Sequence, residues 1–232
     1  MMILAIDTAL DACSAAVLDT TSGNTIAIES LPMQRGHAEA LMPLLGRVMK
    51  ESGIGFAGLD RIAVTTGPGS FTGLRVGLSA ARGIALAAEK PVVGVTTLAA
   101  YAAPVVAANA ERPILSAIDA RHDHVYFQVV AGDGSPLVKP KVAPIAEALE
   151  AAQYGALHLV GNAAAMLLAA RWPADAADPV AVDCQSAPDI TWVAWIGAAI
   201  DPDGAPPRPF YLRAPDAKPP KDRLEVSAPP ST

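Results

Sequence analysis

Short apolar runs separated by polar turns open the chain, and longer runs with helical spacing follow them. Ile3 to Ala9, Cys13 to Asp19 and Ile26 to Leu31 read as three strands, with turns at Leu10-Asp11 and Thr21-Ser22-Gly23-Asn24. A helix is expected from about Ala38 to Ser52, where Leu41, Leu44, Leu45, Val48 and Met49 share one broad face. Pro43 either kinks that helix or marks its first turn. A strand from Ile62 to Thr66, a helix from Thr72 to Glu89 and a strand from Val92 to Val95 come next. Thr96 or Thr97 then caps a further helix toward Ala108.

The second half restarts the pattern. Adding 112 carries Ala5, Ile6 and Asp7 onto Ala117, Ile118 and Asp119, and Val17 and Leu18 onto Val129 and Val130. The turn glycine Gly23 falls beside Gly134. Both halves read strand, short break, strand, glycine turn. Strand, helix and strand are then expected at Leu157 to Gly161, Ala163 to Trp172 and Val180 to Asp183. A last apolar helix follows near Ile190 to Ile200. From Asp201 onward nine of 32 residues are proline. Tyr211-Leu212-Arg213 is expected to dock there as extended chain, with a flexible segment beyond Ala214.

The densest local signal is Thr65-Thr66-Gly67-Pro68-Gly69-Ser70-Phe71-Thr72-Gly73-Leu74-Arg75-Val76-Gly77. An apolar run, a Gly-Pro-Gly turn and a helical pattern predict strand, tight loop and helix start, with Ser70 or Thr72 as the cap. Such a loop can hold an anion at a helix N-terminus or serve purely as a sharp turn. It is no standard nucleotide signature. No lysine follows as in a Walker loop, and Gly67, Gly69 and Gly73 are spaced one residue too long for the dinucleotide fingerprint.

The run Thr66 to Arg75 resembles the signature of the bacterial TsaB (YeaZ) family, the partner protein in threonylcarbamoyl modification of a tRNA adenosine. Ile3 to Thr8, His37 to Leu44, Gly94 to Leu98, Asp119-Ala120-Arg121 before Val125-Tyr126, and Tyr211-Leu212-Arg213 agree with it. The resemblance implies an α/β fold of two tandem β-β-β-α-β-α units, a reduced form of the actin, Hsp70 and sugar-kinase (ASKHA) architecture. Residues 1–104 would form the first unit and 105–200 the second, whose last helix packs back on the first; residues 201–232 form the proline-rich tail. It also implies a non-catalytic scaffold that binds a TsaD-like catalytic subunit, joined by a TsaE-like ATPase. A separate TsaC-like enzyme supplies threonylcarbamoyl-adenylate. The tRNA is met only through the complex, and without its partner the chain pairs with itself.

Composition adds limits. The 232 residues are 52% hydrophobic and 17% charged, with net charge −6 and a pI near 5.1. That disfavours a stand-alone RNA binder, which relies on clustered Lys and Arg. Cys13 and Cys184 are too few for a disulfide scaffold or a structural zinc site. The start lacks a basic leader, and the run Leu98 to Ala108 is about half the roughly 20 residues needed to span a bilayer, so a cytoplasmic protein with no membrane partner is expected.

Candidate chemistry divides into three groups. Asp7 and Asp119, at equivalent strand ends, would suit metal-phosphate work if they faced one cleft; the alternative for Asp7 is a turn carboxylate. Asp7, Gly67, Gly69 and Ser70 are therefore the candidate cofactor-binding residues. By resemblance the chain has no cofactor of its own, with ATP or ADP at the complex interface left open. TsaD carries two histidines four apart that hold its metal; here His37 is followed at that spacing by Leu41, so the ligand pair is broken. His37 reads as a helix-start or interface residue, and His122, Asp123 and His124 as a solvated turn.

The third group is a surface. Gly73, Gly77, Ala81 and Ala85 recur every four residues as a smooth ridge suited to close helix packing, against a partner or the chain's own sheet. The resemblance assigns the helices after His37 and after the glycine loop to the partner bundle. The expected interface residues are His37, Leu41, Leu45, Leu74, Arg75, Gly77, Leu78 and Arg82, with two of the four leucines partly exposed in the monomer. Two other functions remain: an ATP-dependent phosphotransferase of the same architecture, and a metallopeptidase-like protein, the weaker because the ligand pair is missing.

Overall fold

The computed structural model describes residues 1–108 and 111–213. Strands β1 (Met2–Asp7), β2 (Ala12–Asp19) and β3 (Asn24–Pro32) lead into helix α1 (His37–Ser52). After a short 3₁₀ turn come β4 (Arg61–Gly67), α2 (Phe71–Ala88), β5 (Val92–Thr96) and α3 (Thr97–Ala107). These strands make one sheet in the order β3-β2-β1-β4-β5. β1 and β3 run antiparallel to β2, whereas β1, β4 and β5 are parallel.

The second half repeats this plan. It contains β6 (Ile114–Asp119), β7 (His124–Val130), β8 (Pro136–Pro144), α4 (Ile145–Leu149), β9 (His158–Val160), α5 (Ala164–Ala169), β10 (Ala181–Asp183) and α6 (Ile190–Ala199). Its sheet has the order β10-β9-β6-β7-β8, with β6 antiparallel to β7 and parallel to β9. Each sheet thus puts its first strand at the centre, its hairpin strands on one side and two parallel strands on the other. This is the duplicated α/β architecture expected of the ASKHA class. Asp7 ends β1 as Asp119 ends β6, which confirms the 112-residue offset.

Two pieces of the second half escape the sequence pattern. β8 carries Pro136, Pro140 and Pro144, a composition that argues against a strand. It is tolerated because β8 is the edge of its sheet, where missing N–H donors need no partner. The helix expected over 163–172 is only Ala164–Ala169, and Arg171 takes a positive φ of 68° where the chain turns away.

Burial on both faces explains why β1 is a continuous apolar run. Leu4 and Ile6 point into a cluster with Leu41, Leu44, Leu45 and Val48 of α1 and Leu74 and Leu78 of α2. Ile3 and Ala5, one residue out of phase, point to the opposite face against Ile190, Val193 and Ala194 of α6. The last helix of the second half therefore covers the first sheet. Arg61 at the start of β4 fixes it there, donating to the carbonyls of Gly197, Ala198 and Ile200 at 2.8, 3.1 and 2.6 Å. Those are orphan acceptors at a helix C-terminus, where a cation is favoured. Gly197 is required at the contact, since a side chain there would collide with Ala63. The boundary expected at residue 104 falls inside α3, which runs on to Ala107 and lies against β6 and α6.

Beyond α6 the chain returns to the first sheet. Gly94 N–H donates to Ala205 O at 2.9 Å and Phe210 N–H to Thr66 O at 2.8 Å, so Tyr211 arrives as docked, non-helical chain. The segment after Ala214, expected to be flexible, lies outside the described residues. Among the described residues no helix is long and apolar enough to cross a membrane.

Candidate functional site

Asp7 is wholly buried where β1 ends. Its Oδ1 accepts from Ala9 N–H at 2.9 Å and from the Thr65 hydroxyl at 2.5 Å, joining the β1–β2 turn to the end of β4. Oδ2 is buried without a hydrogen-bond partner. Burial pushes the Asp7 carboxyl above its ordinary value, because desolvation disfavours the charged form; the Thr65 hydroxyl, Ala9 N–H and nearby His37 act in the opposite sense. Asp119 makes the same local turn, its Oδ1 accepting from Arg121 N–H at 2.7 Å, but it is exposed. The two aspartates are equivalent in the fold and unlike in environment. Both are turn carboxylates.

The glycine loop is sewn to that turn. Ser70 N–H donates to Ala9 O at 2.7 Å, and the Thr8 hydroxyl donates to Gly73 O at 2.7 Å. Gly67 needs its positive φ of 108° to make the bend. A Cβ on Gly69 would collide with the Ala9 carbonyl, one on Gly73 with the Thr8 carbonyl, and one on Gly77 with the Thr8 hydroxyl. The glycine end of the small-residue ridge packs on Thr8 of the chain's own β1–β2 turn, and Ala81 and Ala85 lie in the core. Ser70 caps α2, its Oγ accepting from Gly73 N–H at 3.3 Å. Gly67, Gly69 and Ser70 thus each have a packing, bending or capping use, and the Ser70 N–H is taken by Ala9 O while the Gly73 N–H is taken by Ser70 Oγ.

His37 is the first residue of α1 and is buried, with Nε2–H donating to Leu10 O at 3.0 Å. Its neighbour one turn on, Leu41, is in the core. The pair His122 and His124 sits in the β6–β7 turn, where Arg121, His122 and Asp123 all have positive φ. Among the described residues no three His, Cys, Asp or Glu side chains converge as a metal site would require.

The expected partner surface needs correcting. Leu41, Leu45, Leu74 and Leu78 are 1, 0, 1 and 2% exposed, all inside the chain's own core, and Gly77 and His37 are buried with them. The leucine stripes of α1 and α2 face their own sheet, because both helices lie on the same face of it. Only Arg75 and Arg82 of the expected set are exposed. Arg75 lies over the Phe71 ring, 3.8 Å from its centroid, and Arg82 donates to the Pro207 carbonyl.

What the two helices do leave open lies on their outer sides. A groove of about 550 Å³ runs between them, lined by Met42, Phe56, Ala57, Ala80, Gly83, Ile84, Ala87 and Ala88, without one charged side chain. Met42, on α1, is 55% exposed. A second signal in the sequence could have found this groove. From Ser79 to Ala88 only Arg82 is charged, so α2 is apolar on more sides than one sheet face can cover.

A family model described as "TsaD: tRNA N6-adenosine threonylcarbamoyltransferase" matches residues 31–182. The "tRNA threonylcarbamoyladenosine biosynthesis protein TsaB" of Escherichia coli (strain K12) is 40% identical over 127 residues, 55% of this chain and 54% of that protein. Its namesake in Haemophilus influenzae is 38% identical over 130 residues, 56% of this chain and 54% of that one. The chain spans about half the length of these curated relatives. The solved structure of YeaZ from Pseudomonas aeruginosa superimposes with a TM-score of 0.72 at 27% identity, covering 91% of this chain and 99% of that one.

Proposed function

The chain belongs to the TsaD family, in its TsaB (YeaZ) group, and on that premise we propose that it is a non-catalytic subunit of a complex that makes threonylcarbamoyladenosine in tRNA. It binds a TsaD-like catalytic subunit, and the uncharged groove between α1 and α2 receives helices of that partner. The groove is the observation that carries the reading. An open apolar channel lined by a residue as exposed as Met42 is costly in water unless something covers it. A TsaE-like ATPase joins the assembled pair, and in the absence of the partner two copies of this chain cover the same groove.

The packing of Gly69 against Ala9 and of Gly73 against Thr8 speaks for this reading over a phosphotransferase. The engagement of His37 with Leu10 O speaks for it over a metallopeptidase. The test is a titration of the purified chain against the TsaD-like protein of the same genome. Gly83 has open space around its Cβ position, so Gly83→Glu leaves the monomer fold intact while placing a charge in the groove. Affinity is expected to fall more than tenfold, about 1.4 kcal/mol or more. Alone, the chain is expected to hold no stoichiometric divalent metal and to form no threonylcarbamoyladenosine. Undiminished binding by Gly83→Glu, or turnover by the isolated chain, would overturn the reading.

A further inference from the structure

Two aromatic rings lie on the surface, outside every core cluster. Phe71 is 42% and Tyr211 45% exposed, with centroids 5.5 Å apart and planes tilted by 32°. Arg75, one helical turn beyond Phe71, places its guanidinium carbon 3.8 Å from the Phe71 centroid. The two carriers are rigid: Phe71 opens the capped helix α2, and Tyr211 follows Phe210, whose N–H is bonded to Thr66 O at 2.8 Å. Arg82 ties the same two segments together through the Pro207 carbonyl.

The two segments that carry these rings are opposite in charge to the chain as a whole. The net charge is −6, yet residues 61–88 and 204–213 contain Arg61, Arg75, Arg82, Arg208 and Arg213 and not one carboxylate. Arg61 is spent on the end of α6. Arg75, Arg82 and Arg208 are exposed. Fixed aromatic faces carried with guanidinium groups on segments that hold no carboxylate are the chemistry that stacks an unpaired base and neutralises its phosphate. A protein partner would sooner choose the apolar groove, where no charge needs desolvating.

We propose that Phe71, Tyr211 and Arg75 form a stacking platform for an unpaired nucleotide of RNA, so that this chain touches the tRNA directly and not only through its partner. The proposal rests on the reading of the chain as a subunit of a tRNA-modifying complex. The base stacks on the ring pair, and Arg75 meets the adjoining phosphate.

The probe is a fluorescent, unstructured RNA oligonucleotide titrated with the full chain at about 50 and 200 mM salt. Wild type is expected to bind at the lower salt, with Phe71→Ala and Tyr211→Ala each weaker by about fivefold or more. Tyr211→Phe keeps the ring and binds as wild type does. Arg75→Ala lowers the slope of log affinity against log salt by about 0.7, the share of one phosphate contact on a single strand. Gly83→Glu leaves oligonucleotide binding unchanged, which separates this contact from the groove. The proposal is overturned if wild type does not bind at low salt, or if both alanine ring variants bind as wild type does. It is equally overturned if ATP at matched concentration displaces the oligonucleotide, which would make free nucleotide the ligand. Loss of the TsaD-like partner by Phe71→Ala, with RNA binding intact, would make the platform a protein contact instead.

Discussion

Asp7 carries the most consequential single environment in the chain, a fully buried carboxyl with one oxygen twice bonded and the other unpartnered. Its folded pKa lies above the ordinary 3.8, chiefly through desolvation. Between those two values the folded state holds more protons than the unfolded state, so stability falls as pH rises through that window. Asp7 therefore contributes its full share below pH 3.8 and loses it as the pH passes the raised folded value. Asp7→Asn keeps an acceptor for Ala9 N–H and Thr65 while removing the buried charge. The variant is expected to be more stable than wild type at pH 8, with the gap closing as the pH approaches 4, in urea titrations across that range. A constant gap at every pH would show that the Asp7 carboxyl titrates alike in the folded and unfolded states.

At the scale of the element, α1 and α2 show how an apolar stripe is divided between inside and outside. Periodicity identifies the stripe and its residues but carries no sign for what lies opposite. Leu41, Leu45, Leu74 and Leu78 are fully covered by the first sheet's own face. Leu74→Glu is accordingly expected to unfold the isolated chain, since an unpaired buried charge costs about 3–5 kcal/mol. Far-UV circular dichroism and a melting curve check this. The matched change on the outer side, Met42→Glu, is expected to leave the melting curve in place. Retention of a cooperative melt by Leu74→Glu would return that leucine to the partner surface.

At the scale of the whole molecule, the two halves are interlocked by α6. It is the last helix of the second half, yet Ile190, Val193 and Ala194 pack on the first sheet. Arg61 holds its end with three charge-assisted hydrogen bonds. Trp192 and Trp195 lie on that helix and report its state. The two halves are expected to unfold together in urea, with tryptophan fluorescence and circular dichroism tracing one transition. Arg61→Ala is expected to lower stability by about 3 kcal/mol, the worth of hydrogen bonds from a charged donor to otherwise orphan carbonyls. Separate transitions in the wild type would show that α6 does not couple the halves.

The strands β1, β2, β4 and β6, the helices α1 and α2, the duplication and the place of Asp7 at a strand end were legible in the sequence alone. Each rests on a local rule, in which period 2 or 3.6, a glycine turn or a capping hydroxyl acts within a few residues. The proline-bearing β8 was illegible because its licence to be a strand is its edge position, which only the sheet order decides. The inward direction of the leucine stripes and the collision partners of Gly69, Gly73 and Gly77 were also decided by packing between distant segments, Thr8 against α2 foremost. The same holds for the Phe71–Tyr211 platform, whose two rings stand 140 positions apart in the chain and meet only because Phe210 bonds to Thr66. Local chemistry specifies which elements form. Which face of each is spent on the core, and which is left for a partner, is settled only once sheets, helices and returning chain compete for the same surface.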